Sequence, residues 1–273
     1  MAQHAVHQTA PILEMKNVTI SLPSVDAPPV LAVEQMSLSI HEREFLALIG
    51  PSGCGKSTTL NAMAGLIPID SGEILLGGQP VNGINERVGY ISQADNLLPW
   101  KTVLDNVALG LELRGVSKKL RHAKARELIH SMGLSGFETN YPHELSGGMK
   151  KRVTIARVLA IEPEVLFMDE PFGPLDVFTK EKLQDDILTI WEQSNQTIVY
   201  VTHDLPEAIA MADRVVLISA RPGRVQEEYP VHLNRPRRVM DVKFEDPFIQ
   251  LEKRIWTDLR SELSKVGENT NEA

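Results

Sequence analysis

Five apolar residues, Phe45 to Ile49, stop at Gly50 and lead into Gly50-Pro51-Ser52-Gly53-Cys54-Gly55-Lys56-Ser57. That order satisfies G-x-x-x-x-G-K-[ST] without a mismatch. The chemistry it suits is the holding of a phosphate. Glycines leave the backbone N–H groups unblocked, and a helix starting near Lys56 adds its positive end to the same anion. Lys56 is placed to reach the outer phosphates of a nucleotide, and the Ser57 hydroxyl to ligate Mg²⁺. Read alone, an ordinary Gly-rich turn between a strand and a helix gives a similar string. The apolar run before it and the helical pattern after it supply the context the phosphate reading needs. Cys54, the single cysteine, excludes an intrachain disulfide and fits a reducing compartment. It reads as a small residue that fits the loop, because phosphoryl transfer needs no thiol.

A second apolar run, Val165 to Met168, ends in Asp169 and Glu170. Acids at the C-terminal end of a parallel strand face the crevice where such sheets bind ligands. Asp169 is placed to hold Mg²⁺, and Glu170 to polarise a water against a terminal phosphate. Read alone they could equally be two solvated acids. Leu145-Ser146-Gly147-Gly148-Met149 precedes a further helix, and Ser-Gly-Gly at a helix start is another anion cradle, with a hydroxyl and open amides. His203 ends the strand-like TIVYVTH, and Gln93 follows a strand in YISQ. Isolated, the histidine would be structural and the glutamine a solvated loop residue.

The elements that must position these residues alternate. Ile12–Ile20 and Leu31–Ile40 read as strands joined by a Pro-rich loop. The strand into the phosphate loop follows, then a helix over 56–64. Ser71-Gly72-Glu73 reads as a turn into a short strand, Ile74–Leu76, and Val88–Ser92 as another strand. Residues 103–133 read as largely helical, with the basic RGVSKKLRHAKARE a solvated face. After them come a helix over 149–160, a strand at 165–168, a helix over 177–193, a strand at 198–201, a helix over 205–212 and a strand at 215–218. A last amphipathic helix over 247–265 carries Phe248, Leu251, Ile255 and Leu259 on one stripe. Alternating strands and helices imply an α/β fold with a mostly parallel sheet covered on both faces. Residues 1–11 and 266–273 are expected to be disordered.

Composition narrows the function classes. Apolar residues make up 42% and charged residues 23% of 273, ordinary for a globular chain with a sizeable core. No apolar stretch approaches the length of a membrane span, and the N-terminus has no secretory pattern. A net charge of −8 argues against nucleic acid as a partner. Arg235-Pro236-Arg237-Arg238 is a basic run whose expected state is a solvated patch, with lipid headgroups as the other reading.

In this order the motifs resemble those of ABC transporter ATP-binding subunits. The phosphate loop, Gln93, LSGGM, the strand ending in Glu170, Pro174-Leu175-Asp176 and Thr202-His203-Asp204 follow one another, and the likeness covers about residues 12–224. ADNLLPWKTVLDNV after Gln93, and DRVVLISARPGRV later, resemble the nitrate, sulfonate, taurine and bicarbonate importer group. The resemblance implies a P-loop NTPase core with an N-terminal antiparallel β portion. A helical subdomain at about 96–158 would lie within an ATPase domain of 12–224, followed by a C-terminal extension of 225–265. It implies ATP and Mg²⁺, with Gly50 to Thr58 holding the nucleotide and Ser57, Gln93 and Asp169 near the metal. Glu170, His203 and Gln93 take catalytic roles. Ser146, Gly147 and Gly148 of one subunit would cover the γ-phosphate held by Lys56 of another, with Asp176 ordering the junction. The implied partners are a second ATPase subunit, head to tail as a homodimer or close heterodimer, a transmembrane permease and, indirectly, an extracytoplasmic solute-binding protein. The place would be the cytoplasmic side of the plasma membrane. Pro99-Trp100 would be an exposed knob for a permease helix, or would simply pack against the helical subdomain. Two rivals are a soluble non-transport ABC ATPase and a regulatory nucleotide-binding module without turnover. The first lacks room for paired cassettes or long insertions, and Glu170 and His203 argue against the second.

Four positions depart from the family pattern. Ile20 to Pro23 carry no aromatic where an adenine-stacking ring is usual. Arg43 stands where Gly is usual and a positive φ would be strained. Lys151 replaces a Gln after LSGGM, its charge either acting on phosphate across the dimer or solvated. Pro174 replaces an Ala and stiffens its turn. Base stacking is worth ~1–3 kcal/mol in stacked nucleic-acid sites. A competition titration should therefore show weak discrimination between ATP and GTP; a strong preference for ATP would refute the point.

Overall fold

The computed structural model describes residues 10–24, 28–173, 175–194 and 196–269, with side chains through residue 265. They form two units, one from the chain up to residue 85 and again from 196 onward, the other from 86 to 194.

The first unit opens with β1 (Leu13–Leu22) and β2 (Val30–Ile40), an antiparallel pair in the register Leu13↔Ile40 and Met15↔Leu38. Alternation sets their faces: Leu13, Met15, Val18, Ile20, Met36, Leu38 and Ile40 are buried. β3 (Phe45–Ile49) is buried along its whole length, as a central parallel strand must be. α1 (Lys56–Met63) follows the phosphate loop. β4 (Ser71–Leu76) and β5 (Gln79–Pro80) complete an antiparallel sheet ordered β2-β1-β4-β5.

The second unit carries β6 (Val88–Ile91), α2 (Val103–Val107), α3 (Leu109–Leu113), α4 (Lys118–Ser131), α5 (Gly147–Leu159), β7 (Val165–Asp169) and α6 (Val177–Gln193). β6 and β7 pair in parallel, Val88↔Val165 to Ile91↔Met168. Gly89 allows that pair to lie against α5, since a Cβ there would come within 2.5 Å of Val158. Asn106 is buried with its amide donating to the carbonyls of Leu98, Lys101 and Thr102, which pins the loop before α2.

The chain then returns to the first unit with β8 (Thr197–Val201), α7 (Leu205–Met211), β9 (Arg214–Ile218), β10 (Val225–Pro230), α8 (Val239–Val242) and α9 (Asp246–Asn269). Within this unit β8, β3 and β9 are parallel, Phe45↔Ile198 and Leu46↔Arg214, and β10 adds antiparallel to β9. Phe248, Ile255 and Leu259 of α9 are buried, the face the stripe foretold.

Several expectations need correction. The Ser71-Gly72-Glu73 turn is already strand. Gly72, at φ 88°, lies with its Cβ position 2.5 Å from the carbonyls of Lys16 and Asn17, so a bulge in β1 absorbs the bend. β10 and α8 carry too little apolar periodicity to be read from sequence. Arg235 and Arg237 are not a solvated patch. Arg235 donates to Asp213 at 2.7 Å and to the Met211 carbonyl, and the buried Arg237 donates to the carbonyls of Ala212 and Leu233. Trp100 is 71% exposed, so it does not pack into the helical layer. The expected disorder at 1–11 and 266–273 falls largely outside the described residues; within them, the α9 backbone continues through Asn269. Pro174 also lies outside the described residues.

Arg43 adopts φ 61° while its N–H donates to the Thr197 hydroxyl at 3.0 Å. Arg43→Gly should relieve this strain. The net gain is about 0.5–1 kcal/mol after the unfolded chain's added freedom is set against it. Thermal denaturation should show a rise of roughly 2 °C; a fall would show that the left-handed turn carries no strain.

Candidate functional site

The phosphate loop joins the end of β3 to α1 in the first unit. Gly55 sits at φ 98°, and a Cβ on it would lie 2.9 Å from the Ala32 carbonyl, so both conformation and space require glycine there. Lys56 begins α1 and is buried, its Nζ donating to the carbonyls of Gly50 and Pro51 at 2.9 Å each. A buried ammonium enclosed by a tight loop, beside a helix N-terminus, suits a polyanion. Burial pushes the Cys54 thiol up, against the opposing pull of the Lys56 ammonium, so Cys54 stays a thiol near neutrality. Arg221, in the turn between β9 and β10, donates from Nε to the Gly53 carbonyl at 3.2 Å and adds a second cation beside the loop. His203 follows β8 in the same unit. It borders a groove of about 600 Å³ lined also by Leu205, Pro206, Ile249 and Trp256, so α9 forms one wall beside the histidine.

The second unit holds Gln93, Ser146 to Gly148, Asp169, Glu170 and Asp176. Ser146 caps α5, its hydroxyl accepting from Met149 N–H at 3.3 Å. Gly147 and Gly148 of LSGGM, the stretch that resembles the family's signature turn, therefore lie inside the first turn of the helix rather than ahead of it. A Cβ on Gly148 would stand 2.5 Å from Thr179 Cγ2, which brings the signature turn against the start of α6. Asp176 caps α6 by accepting from Thr179 N–H at 3.1 Å, and the Thr179 hydroxyl and amide hold its carboxyl below the usual range. Asp169 ends β7 and accepts a hydrogen bond from the Tyr90 hydroxyl at 3.3 Å. Burial, with Asp169 beside it, pushes the Tyr90 phenol far up, so it stays a neutral donor. Glu170 has φ 43°, a left-handed backbone for a residue with a side chain. Strain of this kind, ~1–3 kcal/mol, collects at functional positions. Gln93 Nε2 lies 3.6 Å from the Cβ position of Gly173, so the glutamine is brought to the turn just after Glu170.

Sequence reasoning left out Tyr90, Asp95, Thr179 and Arg221. Each is an ordinary residue type with no role of its own in its stretch of sequence, and only its neighbour in space gives it a task. It also mistook Lys151. The side chain is 1% exposed, and its Nζ is 2.9 Å from the Gln93 carbonyl and 3.2 Å from Asp95 Oδ1. It is not solvated; three acceptors hold its ammonium.

The ABC transporter family profile matches residues 33–173. The uncharacterized ABC transporter ATP-binding protein MJ0412 of Methanocaldococcus jannaschii is 44% identical, over 86% of this chain and 87% of its own. The taurine import ATP-binding protein TauB of Rhizobium johnstonii is 45% identical over 76% of this chain and 79% of its own. Escherichia coli TauB is 44% identical over 75% and 80%. Among solved structures, the dimeric post-hydrolysis state of the ATP-binding cassette MJ0796 bound to ADP and Pi matches with a TM-score of 0.72. That match is 31% identical and covers 81% of this chain and 100% of that one. Phosphate loop, signature turn and acidic strand end thus occur on the expected fold, and the chain belongs to the ABC transporter family as one of its ATP-binding, ATP-hydrolysing cassettes.

Proposed function

We propose that this cassette powers import of a small anion, such as nitrate, a sulfonate, taurine or bicarbonate, through a separate transmembrane permease. The observation that carries the reading is the 45% identity to a taurine import ATP-binding protein over three quarters of the chain. No helix among the described residues is long and apolar enough to cross a membrane, which is consistent with the span lying in a partner. The cassette would sit on the cytoplasmic side of the inner membrane, with a solute-binding protein acting indirectly on the far side. The exposed Trp100 suits docking of a permease helix.

In this reading residues 12–224 are the ATPase domain, with a helical subdomain at about 96–158, and residues 225–265 are an extension. Two chains close head to tail; that the similar cassette MJ0796 is dimeric supports a pair. Gly50 to Thr58 wrap the triphosphate, and the Lys56 ammonium leaves its loop carbonyls for the β/γ-phosphates. Ser146, Gly147 and Gly148 of the facing chain close over the γ-phosphate, and Asp176 orders the junction. The donors Ser57, Gln93 and Asp169 are hard oxygens, which fit Mg²⁺. No group of three or more His, Cys, Asp or Glu able to hold a metal occurs among the described residues. The proposed set brings one carboxylate, one hydroxyl and one amide oxygen to the ion, with the phosphates completing it. When bound, Mg²⁺ neutralises charge on the phosphate oxygens. The Glu170 carboxylate accepts a proton from water, whose oxygen attacks the γ-phosphorus while the bond to the bridging oxygen breaks. His203 and Gln93 orient that water.

Glu170→Gln keeps the shape and removes the base. It should lower ATP turnover by at least ~100-fold, at the low end of general-base contributions, and leave a nucleotide-bound dimer on size exclusion. Undiminished phosphate release would overturn the role of Glu170. Affinity purification from membranes should recover a multispanning permease. Recovery of ribosomes or DNA-bound complexes would favour the soluble rival, and nucleotide binding without hydrolysis beside the permease would favour the regulatory one.

A further inference from the structure

Lys151 lies one turn into α5, where its ammonium is removed from water. Its three N–H bonds meet three acceptors: the Ser92 carbonyl at 3.3 Å, the Gln93 carbonyl at 2.9 Å and Asp95 Oδ1 at 3.2 Å. The next residues on the same face continue the attachment. Thr154 donates from its hydroxyl to the Asp95 carbonyl at 2.9 Å, and Arg157 donates to the carbonyls of Asn96 at 2.8 Å and Asp95 at 3.1 Å. One helix face, at a spacing of three residues, therefore holds the carbonyls of Ser92, Gln93, Asp95 and Asn96.

We propose that Lys151 is a positioning residue for Gln93. By binding the carbonyls of residues 92 and 93 it sets the direction in which the Gln93 side chain leaves the backbone, toward the turn after Glu170. Because Ser146 caps α5, the same helix joins the signature turn to the lysine that holds Gln93, about five residues or ~7.5 Å along the axis. The inference rests on the proposed role of Gln93 in hydrolysis. A Gln at position 151 offers two N–H donors and no charge, so it cannot hold both carbonyls and the Asp95 carboxylate. The lysine thus ties hydrolysis to the signature turn, while the phosphate loop, which sets nucleotide affinity, is not part of the attachment.

The test uses the full chain, with Lys151→Met, Lys151→Arg and Gln93→Ala. Hydrogen–deuterium exchange without nucleotide reads the attachment alone. In Lys151→Met, the segment 93–98 should lose protection at least tenfold at the Leu98 amide, which donates to Asn106 Oδ1 at 2.9 Å, while amides 152–159 of α5 keep theirs. ATP turnover should fall at least tenfold with KM changed less than threefold, and Lys151→Arg should recover part of kcat. Unchanged exchange at 93–98, or loss of α5 protection together with a joint change of kcat and KM, would overturn the positioning role. If Gln93→Ala leaves kcat unchanged while exchange responds as expected, the attachment stands and the proposed role of Gln93 fails instead.

Discussion

A buried ammonium must have its donors satisfied, and this constraint shapes both units. In the first, Lys56 is enclosed by the loop that precedes it, with the Gly50 and Pro51 carbonyls as acceptors. The enclosure works only because Gly55 turns left-handed against the Ala32 carbonyl. Any side chain at that position would push β2 from the loop. In the second, Lys151 finds its acceptors in the backbone after β6. In each case an unsatisfied cation would be far more costly than the conformational restriction that satisfies it.

Cap geometry supplies the second theme. Ser146 and Asp176 start α5 and α6 by accepting from amides three residues on, and the two starts touch through Gly148 and Thr179. The signature turn is therefore defined by packing as well as by its own hydrogen bonds. A larger residue at position 148 would separate the helix starts whatever its effect on a phosphate.

The segment after β9 does more than end the chain. Asp213 accepts from Phe45 N–H at the start of β3 and from Arg235, so the central strand and the C-terminal segment share one carboxylate. α9 then lays Phe248, Ile255 and Leu259 into the core and brings Trp256 beside the groove at His203. The expected amphipathic helix of the C-terminal extension thus borders a residue of the proposed catalytic set.

Residue order alone determined the phosphate loop, the acidic end of β7, the buried strands and the alternation that makes the fold α/β. All of these are local: a turn's glycines, a strand's apolar run and a helix's period depend on residues adjacent in the chain. The left-handed turn at Arg43 came instead from the family resemblance, in which a Gly is usual at that place. Tertiary structure alone decided where charged side chains go. Lys151, Arg235 and Arg237 look like surface residues in any window of sequence, and Tyr90 like an ordinary aromatic. They became buried donors because carbonyls and carboxylates distant in the chain converge on them, and a polar group enters the interior only where such partners already wait.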